Sequence, residues 1–202
     1  MGRPRRHTRC NRTCLISMAE VFDKGEERKL DTVITFLEMH AQPTRPARAT
    51  PMRKLAILRA EQPPLSFYLW LYRTVGKAWN WTDRLAMESE ALKAVIHDPK
   101  VEIYVLYVAG VPAGFAELDF RRGNVSELCL FGLLPEFIGQ GLGSYFLDWV
   151  IDNLWRPEID KAIIDTNTRD HPRALAMYRK AGFEVAGREE SWLVPNEAFD
   201  EA

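Results

Sequence analysis

Between Val101 and Leu134 the chain alternates with a period of two in three successive runs, Val101–Val108, Ala113–Arg121 and Val125–Leu134. Only "AGVP" and "RGN" separate them. Alternate side chains on a strand point to opposite faces, and short glycine turns reverse the chain between strands. The pattern therefore predicts an antiparallel meander, which excludes an all-helical fold and a purely parallel sheet. The third run leads directly into "PEFIGQGLG" and an amphipathic helix from about Gly141 to Trp155, with Leu142, Phe146, Val150 and Leu154 spaced by four. A short buried strand, Lys161–Asn167, comes next. A helix over His171–Gly182 follows, with Pro172 near its start and Gly182 past its end. A strand–helix–strand unit after a meander implies a mixed α/β sheet with a right-handed crossover.

The flanking segments fill out the sheet and its cover. "TVITFLEMH" (Thr32–His40) reads as a strand, and "AQPTRPARATP" after it is a proline-rich loop. Met52–Glu61 reads as extended, although its spacing also allows a helix. Leu65–Gly76 has Phe67, Leu71 and Val75 four apart and predicts a helix ended by Gly76. Thr82 or Asp83 then offers an N-cap for a helix that stops before Pro99, with His97 at its end. "FEVAGREESWLV" supplies two last strand segments.

Bulk properties narrow the class. A chain of 202 residues suits one domain with a real core, here expected over residues 18–202. The formal net charge of -1 gives no polycation for nucleic acid, and no apolar run nears the roughly 20 residues that span a bilayer. Three cysteines make no disulfide framework, which points to a reducing, cytoplasmic setting. Cys10 and Cys14 lack a second pair of ligands, so no metal site is expected. Residues 1–17 hold five arginines and no acid, and lack the apolar core of a secretory signal. They are expected to be a disordered basic arm, or sequence ahead of a start at Met18.

Gly139, Gly141 and Gly143 at the mouth of a helix make an anion site. The first helical N–H groups have no intrahelical partner, and the helix dipole adds positive charge there. Missing side chains let a phosphate reach the backbone. No lysine followed by Ser or Thr is present, so this is not a P-loop. The preceding meander also argues against a dinucleotide-binding half. A plain strand–helix turn with accommodating glycines explains the same loop.

Two motifs taken together are more specific. "PEFIGQGLGSYFLDWVI" resembles the acyl-CoA-binding motif of the GNAT superfamily of N-acetyltransferases, Gln/Arg-x-x-Gly-x-Gly/Ala at the start of the central helix. "DHPRALAMYRKAGFEVAGR" resembles the family's later helix, Asn-x-x-Ala-x-x-x-Tyr-x-x-x-Gly-Phe. The resemblance spans roughly Val101 to Trp192. It implies a mostly antiparallel mixed sheet with splayed central strands, flanked by about four helices. It also implies acetyl-CoA as co-substrate. The pantetheine arm would lie along Phe131, Gly132 and Leu133, and the diphosphate against Ile138, Gly139, Gln140, Gly141, Leu142, Gly143 and Ser144. Ile138 stands where the motif has Gln or Arg, and His171 where the later helix has Asn, still within hydrogen-bonding reach of the cofactor.

Acetylating an amine requires a neutral nitrogen, and a lysine-like amine has a pKa of about 10.4 in water. The resemblance makes Tyr178 the acid that protonates the leaving thiolate. Glu127 is the first candidate base, with Glu117 second, on the same strand face as Asp119. Thr166 stands where one subgroup carries its glutamate base. Trp79 and Trp81 are candidate walls of an acceptor pocket for an amine, or tryptophans sealing the core edge. Cys129 lacks a neighbouring histidine, so direct transfer is expected rather than a thiol intermediate. The expected function is acetyl transfer from acetyl-CoA to a small-molecule or peptide amine, with no nucleic-acid or membrane partner. The alternative is an acyl-CoA-binding sensor without turnover. Relatives that pair through late strands imply a homodimer as one assembly.

Overall fold

The computed structural model describes residues 29–46, 51 and 53–199. The basic arm with Cys10, Cys14 and Met18 lies outside the described residues, as does Met52. Seven strands form one sheet: β1 (Leu30–Met39), β2 (Leu55–Arg59), β3 (Val101–Val108), β4 (Val111–Arg122), β5 (Val125–Leu133), β6 (Lys161–Asn167) and β7 (Glu184–Leu193). Their spatial order is β2-β3-β4-β5-β6-β1-β7. Four α-helices cover it: α1 (Leu65–Gly76), α2 (Ser89–Ile96), α3 (Leu142–Leu154) and α4 (Ala174–Lys180).

The meander forms as the alternation predicts, with β3, β4 and β5 paired antiparallel. Ala109 and Gly110, both at positive φ, make the tight turn between β3 and β4. β5 and β6 are the parallel pair, with α3 crossing between them. One face of the sheet packs on α3 and α4 through Leu118, Leu128, Phe146, Val150, Ile164 and Phe183. The other packs on α1 and α2 through Tyr68, Leu71, Val75, Leu92, Val105 and Phe115.

β1 sits between β6 and β7, antiparallel to both and far from β2. Four features differ from the sequence expectations. The two strand segments expected at the C-terminus are one strand, β7. It is bulged where Phe36 pairs Gly187 and Leu37 pairs Val185, leaving Ala186 extra. The helix expected from Thr82 begins only at Ser89, because the Thr82 hydroxyl donates to the Val194 carbonyl (3.2 Å) instead of capping. α4 begins at Ala174 rather than His171. Gly76 does not end α1 by a left-handed turn. The chain runs on through a 3₁₀ turn at Lys77–Trp79 and reverses at Asn80, whose φ is 54°. Gly76 is instead required by contact: a Cβ there would lie 2.4 Å from Trp81 Cβ. His97 ends α2 as expected, with its Nε2 3.0 Å from the Pro63 carbonyl.

A buried ion pair explains why residues 82–88 do not stay helical. Arg84 turns under α1 and meets the Glu117 carboxylate on β4 at 2.5 Å, with both side chains almost wholly buried. The Tyr68 hydroxyl donates to the other Glu117 oxygen (2.5 Å), and the Arg84 N–H donates to the Tyr72 hydroxyl (3.2 Å). Burial, then the Glu117 charge, pushes the Tyr68 hydroxyl well up, so it stays a donor. Removing one member of such a pair strands a charge, whereas replacing both with apolar groups is tolerated. Arg84→Met is expected to cost roughly 3–5 kcal/mol of unfolding free energy, with most of it recovered in Arg84→Met/Glu117→Leu, read from urea denaturation midpoints.

Candidate active site

The parallel pair β5/β6 is a fork. Only Val125↔Lys161, Ser126↔Ala162 and Glu127↔Ile163 are in register. Beyond Glu127, β5 stays paired to β4 as far as Gly114↔Leu133, and β6 stays paired to β1 as far as Ile34↔Asn167. The two strands thus part while each keeps its outer neighbour. From Leu128 to Leu133 the β5 main chain faces a gap with no β6 partner.

Aromatic rings fill the α3/α4 side of that gap. A bulge at Cys129, between the pairs Glu117↔Leu130 and Leu118↔Leu128, lets Phe131 share a face with Leu128. The Phe131 ring lies 5.4 Å from Phe146 of α3 and 6.5 Å from Tyr178 of α4. Gly132 is where α1 comes down on β5, since a Cβ there would sit 2.3 Å from Val75 Cγ1. Leu133 packs on the α3/α4 core.

At the open end lies the glycine loop. Gly139 and Gly141 have φ of 80° and 77°, and a Cβ on either would meet nothing within 4 Å. Their freedom serves backbone conformation and open access rather than packing. The N–H groups of Gly139 to Gly143 find no acceptor elsewhere among the described residues. Leu142 is fully buried and anchors α3 beneath them, while the Ser144 hydroxyl donates back to the Gly141 carbonyl (3.3 Å). Ile138 is exposed. Free N–H groups on open glycines, beside a gap flanked by an unpaired strand, fit a diphosphate followed by an extended arm. No cluster of His, Cys, Asp or Glu suited to a metal occurs among the described residues.

The candidate acid and bases sit differently. Tyr178 is buried between Phe131 and Phe183, and its hydroxyl makes no hydrogen bond among the described residues. Burial, with Asp170 and Asp165 nearby, pushes its pKa strongly up, so it stays protonated. Glu127 stands at the apex of the fork, in the last β5/β6 pair, 3.3 Å from Arg122 Nη1. Burial raises its carboxyl above the ordinary value, and Arg122 pulls the other way. Glu117 lies on the same sheet face but is locked beneath α1 by Arg84 and Tyr68.

A wall closes the α1 side. Trp79 stacks edge-on against His171, with centroids 5.0 Å apart. Trp81 donates from Nε1 to Asp170 Oδ1 (3.2 Å), while Asp170 Oδ2 takes the Thr166 hydroxyl (2.7 Å) and the Asn167 N–H (2.9 Å). Thr166 is thus a partner of Asp170. His171 Nδ1 accepts the Arg173 N–H (3.1 Å) in the turn just ahead of α4. The segment after α1 is thereby tied to the turn after β6.

Sequence reading passed over Arg53, Arg122, Lys161 and Asp170. Arg53, just ahead of β2, has its guanidinium on the Gln140 side-chain oxygen in the glycine loop. Gln140 in turn donates to the Glu136 carbonyl (2.6 Å). Only the return of the chain from β1 to β2 brings Arg53 there, and no local motif signals it. Arg45, on the same return, reaches the Asp148 carbonyl of α3 (2.9 Å) and Asp152 (3.1 Å).

Comparison with known proteins agrees with this geometry. Residues 55–183 match the model of the acetyltransferase (GNAT) family. A curated relative, S-alkylcysteine N-acetyltransferase of Bacillus subtilis (strain 168), is 39% identical over 57 residues, which span 27% of this chain and only 32% of that protein. Among solved structures, a GCN5-related N-acetyltransferase from Kribbella flavida superposes with a TM-score of 0.55 at 16% identity, covering 81% of this chain and 58% of that one. An aminoglycoside acetyltransferase from an uncultured soil metagenomic sample, in complex with trehalose, superposes with a TM-score of 0.51 at 14% identity, covering 63% and 86%. These likenesses are of fold. The forked sheet, the glycine loop and the match over residues 55–183 lead to one conclusion: the chain belongs to the acetyltransferase (GNAT) family.

Proposed function

We propose that this acetyltransferase moves an acetyl group directly from acetyl-CoA to a primary amine, in the cytoplasm. Its observation of record is the fork, where β5 and β6 pair for three residues and then part with Glu127 at the apex. Family members use acetyl-CoA as co-substrate. When bound, it supplies an activated thioester. Leu128–Leu133 offers main-chain groups along the arm, and Gly139–Ser144 offers N–H groups to the diphosphate. Arg53, held on Gln140, supplies the cationic contact that Ile138 cannot make. The name of the curated relative carries an alkylated amino acid as acceptor.

Each proton has a holder in this scheme. Ionised Glu127 takes a proton from the ammonium, directly or through one water. The neutral nitrogen attacks the thioester carbonyl carbon. As the C–N bond is completed the C–S bond breaks, and the Tyr178 hydroxyl protonates the departing sulfur. Glu127 passes its first proton to solvent and takes the nitrogen's second as the amide forms, and Tyr178 recovers one from solvent. The net products are an amide, a free thiol and one proton. Burial keeps Tyr178 protonated until the sulfur departs, and it makes Glu127 a stronger base than an exposed carboxylate. Trp79 and Trp81 close the α1 side of the gap, against His171 and Asp170.

The first test is calorimetric binding of acetyl-CoA, followed by an amine panel monitored for free thiol. Binding with no turnover of any amine would point to a sensor instead. Tyr178→Phe is expected to lower kcat about 10²- to 10⁴-fold while acetyl-CoA still binds; unchanged turnover would remove Tyr178 as the acid. For the wild type, kcat/KM should rise with pH through the Glu127 pKa, because the base works only when ionised. The midpoint should lie above the ordinary glutamate value, since burial raises it. Glu127→Gln should abolish that limb and lower the plateau about 10²-fold or more in a stopped-flow thiol assay. Arg53→Ala should weaken acetyl-CoA binding about tenfold, roughly 1.4 kcal/mol, with no loss of affinity for acetyl-pantetheine, which has no diphosphate.

A further inference from the structure

On the sheet face that carries Glu127, a small cleft of about 100 Å³, open to solvent, lies between the β4–β5 turn and β1. Phe36, Glu38, Arg122, Glu127, Lys161 and Ile163 line it. Cross-strand register puts them in a tight lattice. Glu127 is opposite Ile163, which is opposite Glu38, and Lys161 lies one step back, opposite Val125. Four of the five charged groups that line it form two ion pairs, Arg122–Glu127 at 3.3 Å on one wall and Lys161–Glu38 at 2.9 Å on the other; Asp165 is the fifth. All four paired side chains are largely but not fully buried, with 14% to 31% exposed. Phe36 and Ile163 are half-buried between them.

We propose that this cleft binds the acceptor as a zwitterion, an α-amino acid with an apolar side chain and a free carboxylate. This rests on the transferase reading above and names the substrate class of the same site. Glu127 and Lys161 are diagonal neighbours on adjacent strands, about 7–8 Å apart at the backbone. An α-ammonium and its carboxylate are separated by one carbon, so a zwitterion can reach both side chains at once. Its ammonium takes Arg122's place at Glu127, and its carboxylate takes Glu38's place at Lys161, with Arg122 released to the same carboxylate. Glu127, Lys161 and Arg122 each keep an opposite charge in the exchange, and the displaced Glu38, about a third exposed and 3.2 Å from His40 Nε2, is left to solvent and His40. Phe36 and Ile163 meet the apolar side chain. The exchange leaves the amine on Glu127, at the apex of the fork where the transfer is placed. A simple amine would satisfy Glu127 and give Lys161 nothing.

The test compares L-phenylalanine and L-leucine with their amides and with phenethylamine and isoamylamine, in wild-type protein shown by calorimetry to bind acetyl-CoA. The expected result is a kcat/KM for the free amino acids about 10- to 100-fold above both analogues, the worth of a charge-assisted carboxylate contact. Lys161→Met should collapse that ratio toward one, while a Lys161→Arg variant keeps most of it. Acetylation of the amines with no preference for a carboxylate overturns the zwitterion site and leaves the transferase reading standing. A wild-type ratio that survives in Lys161→Met also overturns it. Failure to bind acetyl-CoA sinks the transferase reading itself, and acetyl-CoA binding with no panel member acetylated overturns both.

Discussion

The architecture turns on a sheet that is denied completion at its centre. A β-strand normally satisfies its main chain on both sides, and a buried gap between neighbours leaves polar groups without partners. Here β5 and β6 hold together for three residues and then separate. The separation is sustained because each strand has a full ladder on its outer side, β4 for β5 and β1 for β6. Phe131, Phe146 and Tyr178 pack the α3/α4 side of the gap, so the strands cannot close by a simple rotation. An opening of this kind suits an extended, hydrogen-bonding ligand better than a compact one.

That constraint gives the unusual place of β1 a purpose. Without a strand beside it, the outer edge of β6 would be open exactly where its inner edge is also open. β1 enters between β6 and β7, antiparallel to both, and gives β6 its only continuous ladder. The cost is a long return to β2 on the opposite edge. That return is used as well: it clamps α3 through Arg45 and sets Arg53 against Gln140 in the glycine loop. An N-terminal strand with little chemical character of its own thus supports the site from two directions.

Much of this was readable in the residues, and the parts that were not share a cause. The meander, the glycine loop, α3 and β6 follow local rules of alternation, helical spacing and glycine placement, and they formed where those rules put them. The loop glycines, Tyr178 and Glu127 could be named from the sequence, and all lie beside the fork. Long-range choices were not. Nothing local says that Thr82 prefers the Val194 carbonyl to a helix N-terminus, or that Arg84 will be drawn to Glu117 and so shorten α2. The same ion pair separates Glu117 from Glu127, two acids on one face of which only Glu127 reaches the fork. Strand order is also non-local, which is why Arg53, Lys161 and Phe36 gave no sign of their neighbours.

The most direct measurement of the central claim is amide hydrogen exchange with and without acetyl-CoA. The main chain of Leu128–Leu133 faces the gap, and Gly139–Gly143 carries N–H groups without acceptors. Acetyl-CoA should therefore slow exchange in both segments together, while the already paired strands β2 and β3 change little. Protection confined to other parts of the chain, or Leu128–Leu133 amides equally protected before the ligand is added, would contradict a fork built to receive it.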